Sequence, residues 1–292
     1  MSLSELLIPS ARLDEKESGI LVQVTPQEAN WKLIHFLVRQ LAAGHSCAGQ
    51  TGDQETGLIL LKGECTVTWE TGEAKLGPRA DVFESYPHAL YLPPESNYMI
   101  EADRLCEIAE GRTPARRHLE PRVIRPEDCG FEIRGGGNAT RQIVDIMPPD
   151  FPADRLLVCE VFTPSGNWSS YPPHKHDTDN PPAEVKLEET YYYRYREPEA
   201  YGIQRLYTAD GRIDEVMRVV DGDLVLIREG YHPFVSAYGY DAYYLNVLAG
   251  DRRSMAASDD PQHVRFRHDW PPRDPRLPLL EKPAEKCALE SK

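Results

Sequence analysis

The sequence has none of the features that mark membrane or exported proteins. No apolar run approaches the roughly 20 residues that a helix needs to cross a bilayer. Residues 1–10 lack the basic region and the long apolar region of a secretory signal peptide. We therefore expect a protein that stays in the cytoplasm and has no membrane partner.

Positive charge and paired cysteines are also scarce. Lys and Arg number 33 against 47 Asp and Glu, which gives a net charge of −14, and no lysine-rich run occurs. Proteins that bind a phosphate backbone carry basic surfaces, so nucleic acid is not an expected partner. The six cysteines form no C-x-x-C pair. Neither a disulfide framework nor a thiolate zinc site is predicted.

The chain is rich instead in turn-forming residues and short β-type segments. It has 25 Pro and 20 Gly in 292 residues, which divide apolar stretches such as LILLKG, DLVLI and AYYLNVLA. Residues 26–41 are ambiguous between helix and strand. The length suits two domains. We predict an all-β protein with one domain over residues 1–150 and a second over 151–292, which ends in an extended proline-rich tail.

Two histidines and a glutamate in the second half have the spacing of a metal site. His174 and His176 are two residues apart, so an extended strand directs both imidazoles to one side. In the segment LEETYYYR, period-two alternation places Glu189 on the more apolar face and Glu188 on the opposite face. A buried carboxylate needs a cation or a hydrogen-bond partner. Glu189 is therefore the candidate ligand, and the alternative is that it pairs with an arginine.

A third histidine, His232, follows a glycine turn at the end of the strand DLVLI. Three imidazoles and one carboxylate suit Zn²⁺, Mn²⁺, Fe²⁺ or Ni²⁺, and they leave room for a substrate oxygen or water. The other six histidines of the chain form no comparable spacing.

These motifs together resemble a known family. The segments YPPHKHDTDN, LEETYYYR, IQRLYT, EGYHPF and YYLNVLAG are similar to the 5-deoxy-glucuronate isomerases of myo-inositol catabolism, which are related to the 4-deoxy-threo-hexosulose-uronate ketol-isomerases. The resemblance implies a bicupin, two cupin-like β-sandwich barrels, with a divalent metal in the second. It makes His174, His176, Glu189 and His232 the ligands, with zinc as the expected ion. The first barrel, without metal ligands, is expected to have a scaffolding or oligomerisation role, so a homo-oligomer is predicted.

The resemblance also implies a reaction, the conversion of 5-deoxy-D-glucuronate to 2-deoxy-5-keto-D-gluconate. Such an isomerisation removes a proton next to a carbonyl, and a divalent ion stabilises the resulting enediolate. A protein base must move the proton, and Glu188, Tyr191 and Lys175 are candidates among which the sequence does not choose.

The carboxylate of a uronate substrate calls for a guanidinium partner. Arg205 and Arg194 are the candidates, and each can instead be a surface charge or an ion-pair partner. Two other functions use the same ligand set. One is an iron(II)-dependent bicupin dioxygenase, which would require oxygen, and the other is a sugar-binding cupin without catalytic activity.

Overall fold

β-Strands make up nearly all of the regular structure. The computed structural model describes residues 5–283. Within this range the helices are α1 (Pro26–Ala29) and two 3₁₀ helices, at Pro126–Asp128 and Val264–Arg267. None of the helices within residues 5–283 has the length and apolar character of a membrane-spanning segment. The all-β prediction is confirmed.

The strands fall into two sets of similar size. The strands of the first half are β1 (Leu7–Ile8), β2 (Gly19–Val24), β3 (His35–Leu41), β4 (Ser46–Gln50), β5 (Gln54–Trp69), β6 (Gly72–Arg79), β7 (Ala89–Leu92), β8 (Asn97–Ala102), β9 (Cys106–Pro114) and β10 (Arg122–Ile124). Those of the second half are β11 (Gly130–Arg134), β12 (Arg141–Met147), β13 (Leu156–Thr163), β14 (Trp168–Ser169), β15 (His174–Lys175), β16 (Glu188–Arg194), β17 (Gly202–Tyr207), β18 (Asp214–Val219), β19 (Leu224–Ile227), β20 (Phe234–Ser236), β21 (Ala242–Ala249) and β22 (Ser258–Asp259).

The ambiguous segment at residues 26–41 forms a short helix followed by a strand. Thr25 caps α1: its side chain accepts a hydrogen bond from the Glu28 backbone N–H, and Glu28 Oε2 accepts one from the Thr25 N–H at 2.9 Å. The helix ends at Asn30, whose φ of 53° is left-handed. The apolar residues that follow then form β3.

The two halves share one strand order. The main sheet of the first half contains β7-β5-β9-β3-β2 in sequence across the sheet, and that of the second contains β19-β16-β21-β13-β12. A second layer faces each main sheet. In the first half it is formed by β4, β8, β6 and the continuation of β5, and in the second by β14, β20, β17 and β18. β5 and β16 therefore occupy equivalent positions, which is the arrangement expected of an internal duplication.

Hydrogen bonding divides the two main sheets between β10 and β11, ahead of residue 150. β10 pairs with β7, whereas β11 and β12 pair with each other and β12 pairs with β13. β1, from the start of the chain, pairs with β19 of the second half. The division into folding domains at residue 150 stays a prediction. Three strands that precede residue 150, β1, β11 and β12, belong to the main sheet of the second half.

Two glutamates join the halves through equivalent contacts. The carboxylate of Glu188, at the start of β16, accepts hydrogen bonds from the backbone N–H groups of residues 32–34, just before β3. The carboxylate of Glu55, near the start of β5, accepts hydrogen bonds from the N–H groups of residues 154–156, where β13 begins. Each half thus anchors the beginning of a strand of the other.

The interface between the halves is also a shared core. Phe36 of β3 packs on Tyr192 of β16, with ring centroids 6.0 Å apart. Arg79 and Glu160, both fully buried, form a bidentate ion pair with N–O distances of 2.8 and 2.9 Å, and Tyr243 donates a hydrogen bond to the same carboxylate. Burial of a guanidinium is tolerable here because a carboxylate meets it directly.

The proline-rich tail lies on the second half. Leu277 and Leu280 are buried, and Gln142 Oε1 accepts hydrogen bonds from the backbone of Leu279 and Leu280 at 2.8 and 3.1 Å. The cysteines within the described residues are free thiols, and Cys287 lies outside those residues.

Candidate metal centre

His176, Glu189 and His232 meet inside the second barrel. Glu189 Oε2 lies 2.8 Å from His176 Nε2 and 3.3 Å from His232 Nε2. All three residues are buried, and one ligand atom from each lies within 4.8 Å of the others. Among the described residues no other group of this kind occurs.

Neighbouring backbone holds each of these side chains in place. Glu189 is in the middle of the sheet, opposite Ile227 of β19 and Leu248 of β21. His176 follows β15, and its backbone carbonyl accepts a hydrogen bond from the Leu187 N–H at 2.8 Å. His232 follows Gly230, which has a φ of +90°, and a Cβ at that glycine would lie 2.5 Å from a backbone oxygen. A glycine is needed there for the turn that brings His232 inward.

The orientation of the two imidazoles suits a cation. His176 Nδ1 lies 3.2 Å from the Leu187 carbonyl, and His232 Nδ1 lies 3.0 Å from the Gly230 carbonyl. Carbonyl oxygens accept hydrogen bonds, so each Nδ1 carries a proton, and each Nε2 is directed towards Glu189. His232 Nε2 is buried without a hydrogen-bond partner. A divalent ion would satisfy that nitrogen, so the donor set fits a metal.

Burial is the largest influence on each pKa in this cluster. It lowers the pKa of His232 to about 4 and that of His174 well below its usual value, so both rings are neutral near pH 7. Burial also opposes the charged form of His176, but the Glu189 carboxylate outweighs it and the pKa of His176 is raised. Burial likewise opposes ionisation of Glu189, yet the two histidines lower its pKa on balance. The carboxylate is therefore ionised and attracts positive charge.

His174, the fourth expected ligand, lies beside the cluster. Its ring centroid is 4.9 Å from that of His232 and 6.4 Å from that of His176. Its nitrogens fall outside the group of three ligand atoms. His174 lines the cavity that His176 and Glu189 also border.

A cavity of about 390 Å³ opens next to the cluster. Its wall combines apolar side chains with polar and charged ones, which include Arg134, Arg141, Asp145, Tyr191, Asn246 and Arg267. Cavities of this size are typical of small-molecule sites.

Of the three candidate bases, Tyr191 lies in this cavity. Its hydroxyl is 2.9 Å from that of Ser170, and its ring centroid is 5.9 Å from that of His232. Lys175 Nζ instead contacts carboxylate oxygens of Asp177 and Glu184 at 2.6 and 2.8 Å. Glu188 is occupied with the backbone of residues 32–34 on the opposite face of the sheet. The structure does not bring Lys175 or Glu188 to the cavity wall.

Neither arginine expected to bind a carboxylate lies at this cavity. Arg205 forms a bidentate ion pair with Asp214 at 2.8 and 3.0 Å, and its guanidinium lies over the Tyr207 ring. Arg194 pairs with Glu107 and Asp221 near the junction of the halves. Arg141, which sequence reasoning missed, lines the cavity instead. The sequence contains only a weak indication of this position: Arg141 begins the segment RQIVDIM and lies on the same strand face as Ile143.

The two barrels share one strand order, and the second encloses a histidine–carboxylate cluster beside a cavity. These features define a bicupin with a candidate metal site. The model of the KduI/IolB family matches residues 6–266. The chain belongs to this family, and the resemblance noted in the sequence is confirmed.

Curated relatives carry one shared name. A 5-deoxy-glucuronate isomerase of Geobacillus kaustophilus is 44% identical over 274 residues, which cover 92% of this chain and 95% of that protein. A 5-deoxy-glucuronate isomerase of Bacillus subtilis (strain 168) is 39% identical over 262 residues, with coverage of 88% and 97%.

Solved structures agree with this assignment. An IolB-like protein from Salmonella typhimurium LT2 superposes with a TM-score of 0.86 at 37% identity, over 90% of this chain and 99% of that one. An oxalate decarboxylase of Bacillus subtilis has a TM-score of 0.61 at 12% identity, over 89% and 80% of the two chains. At that identity the likeness concerns the fold alone, and it confirms the cupin architecture.

Proposed function

We propose that this protein is a metal-dependent aldose–ketose isomerase that converts 5-deoxy-D-glucuronate to 2-deoxy-5-keto-D-gluconate in myo-inositol catabolism. Membership in the KduI/IolB family and the shared name of relatives that span nearly its whole length make the chain an isomerase. The observation that carries the proposal is the buried cluster of His176, Glu189 and His232 beside a cavity that His176 and Glu189 line. The substrate is a small deoxy-uronate sugar.

We propose that His176, Glu189 and His232 hold a divalent ion together with His174. The neutral ring of His174 supports its inclusion, because it faces the same space at 4.9 Å from the His232 ring. Nitrogen and carboxylate donors suit Zn²⁺, which we propose as the ion, and they also accommodate Mn²⁺, Fe²⁺ or Ni²⁺. When bound, such an ion stabilises negative charge on substrate oxygens.

We propose Tyr191 as the catalytic residue of the three candidates. Burial, followed by the nearby Glu189 charge, holds the pKa of its phenol well above the usual value, so it is protonated near pH 7. A protonated phenol can donate a hydrogen bond or a proton to a substrate oxygen. Ser170, at 2.9 Å, fixes the direction of that hydroxyl. The contacts of Lys175 and Glu188 make both of them structural residues in this proposal.

The test is turnover by the purified full-length protein, followed by NMR. Under anaerobic conditions and without nicotinamide, 5-deoxy-D-glucuronate should be converted to the ketose. A chelator should abolish the reaction, and added Zn²⁺ or another divalent ion should restore it. Turnover by protein shown to be metal-free by elemental analysis would overturn the metal dependence. A requirement for oxygen would identify a dioxygenase, and binding of the sugar without any conversion would indicate a sugar-binding protein. Homo-oligomeric assembly and a cytoplasmic location remain predictions from the sequence.

A further inference from the structure

One buried cation at the cavity has no counter-charge. Arg141 opens β12, is only 5% exposed and lines the cavity beside the histidine cluster. Its Nη1 atom is buried without a hydrogen-bond partner. No carboxylate within the described residues 5–283 lies at ion-pair distance from it. Because a guanidinium stays charged at any ordinary pH, this position holds an unbalanced positive charge.

Three other arginines, two at the cavity wall and one in the core, are each paired with a carboxylate. Arg134, which also lines the cavity, forms a bidentate contact with Glu132 at 3.0 and 2.6 Å. Arg267, at the same wall, pairs with Asp259. Arg79, buried at the junction of the halves, is neutralised by Glu160. A buried charge is unfavourable unless an opposite charge meets it, so Arg141 differs from these residues in needing a partner from outside the chain.

Arg141 is also close to the proposed metal ligands. Arg141, His174, His176 and Glu189 all line one cavity, so the guanidinium is on the same side of the barrel as these ligands. Tyr191, Tyr244 and Arg141 line the same cavity. A ligand in this cavity can therefore contact the cluster and Arg141 at the same time.

We propose that Arg141 binds the carboxylate of the substrate and so selects uronates over neutral aldoses. This inference rests on the proposed function, in which the carbonyl end of the sugar meets the histidine–glutamate cluster. The carboxylate lies at the other end of the six-carbon chain and would supply the charge that Arg141 lacks. A guanidinium and a carboxylate can pair through two parallel hydrogen bonds, which fixes orientation as well as position. Arg141 takes the role that the sequence suggested for Arg205 or Arg194.

Specificity follows from the same geometry. A neutral aldose would leave the Arg141 charge buried and unpaired under a bound ligand, and polar groups left without partners are the strongest basis for rejecting an analogue. Arg141 would thus contribute to binding of the acid and to exclusion of the corresponding neutral sugar.

The test compares Arg141→Met and Arg141→Lys with Arg205→Met as the matched control. Each variant is assayed with 5-deoxy-D-glucuronate and with its primary amide, which has the same shape without the charge. We expect Arg141→Met to lose about 100-fold or more in kcat/KM for the acid, with little change for the amide. Arg141→Lys should be intermediate, since it keeps the charge but not the paired geometry. Arg205→Met should keep the preference for the acid.

A binding measurement separates this inference from the isomerase activity. The probe is the sugar acid made by reducing the substrate aldehyde to an alcohol, which cannot isomerise. Calorimetry with metal-free and metal-loaded protein should show binding of this acid weakened by about 10-fold or more in Arg141→Met, with the matching amide unaffected. Metal content and melting temperature of each variant serve as checks on folding.

Two results would overturn the inference. One is an equal loss for acid and amide in Arg141→Met, which would indicate a structural role. The other is a charge-selective loss in Arg205→Met with none in Arg141→Met. If the wild-type protein binds the reduced acid through Arg141 but does not isomerise 5-deoxy-D-glucuronate, the carboxylate site stands and the proposed reaction fails.

Discussion

The adjacent residues Glu188 and Glu189 should respond to the same substitution in opposite ways. Glu189 Oε2 lies 2.8 and 3.3 Å from the Nε2 atoms of His176 and His232, on the inner face of β16. Glu189→Gln removes the negative charge from this group and leaves a neutral oxygen. Loss of a residue that only positions a ligand already weakens metal binding about 10- to 100-fold, so loss of this carboxylate should weaken it by at least about 100-fold. Isomerase activity should fall with the metal content.

Glu188→Gln should instead reduce stability and leave the metal in place. The two carboxylate oxygens accept three backbone hydrogen bonds, at 2.7, 2.8 and 3.0 Å. An amide keeps one acceptor oxygen and turns an N–H₂ group towards backbone donors. One or two hydrogen bonds to a charged acceptor are lost, which should lower the free energy of unfolding by about 2–4 kcal/mol.

Urea denaturation measures the stability change, and elemental analysis measures the metal. Both variants should be denatured in chelator, because a bound metal would itself add to the stability of the folded state. The reasoning is refuted if Glu188→Gln loses its metal while Glu189→Gln keeps it. In that case the faces of β16 would be assigned the wrong way round.

Two further predictions concern residues that hold the barrel together. Glu160→Gln leaves the buried Arg79 guanidinium without a counter-charge and should lower the free energy of unfolding in urea by about 3–5 kcal/mol. Glu84 forms an exposed ion pair with Arg196, and the matched variant Glu84→Gln should lower the free energy of unfolding by less than about 1 kcal/mol. Equal losses of stability in Glu160→Gln and Glu84→Gln would contradict the importance of the buried pair. Gly230 lies two residues before His232, and Gly230→Ala should reduce metal affinity as well as stability, because the added Cβ would lie 2.5 Å from the backbone oxygen of Tyr207. Gly239 has a similar positive φ with open space around it, so Gly239→Ala should leave metal affinity unchanged. Titration with Zn²⁺ against a competing chelator tests this, and equal losses in the two variants would remove the proposed role of the Gly230 turn.

Features that depend on local periodicity could be predicted from the sequence. Side chains alternate between the faces of a strand, so the apolar neighbours of Glu189 were enough to direct it inward. The structure has Glu189 2% exposed and directs Glu188 to the opposite face, which confirms the alternation. The histidine spacing carried similar information, because residues two apart on a strand share a face. That these residues bind a metal stays a prediction.

Features that depend on distant partners could not be predicted in this way. Arg205 and Arg194 are sequence neighbours of the motifs, but their positions are decided by Asp214 and by Glu107, and Glu107 belongs to the other half of the chain. Arg141 shows the converse: no carboxylate of residues 5–283 lies at ion-pair distance from it, and the role proposed for it depends on that tertiary feature. Pairing of charges across strands is a property of the tertiary structure, and it cannot be inferred from a single sequence.

The duplication gives an independent argument for the roles of Glu188 and Glu189. Thr56 lies opposite the last residue of β7, as Glu189 lies opposite the last residue of β19, so the two positions are equivalent in the matched sheets. Their preceding residues, Glu55 and Glu188, are then equivalent too, and both accept hydrogen bonds from three backbone N–H groups of the opposite half. A contact present in both barrels serves the architecture that both barrels share. Glu189 is a carboxylate in one barrel, is replaced by Thr56 in the other, and contacts the histidines. We therefore expect Glu189, and not Glu188, to have the chemical role.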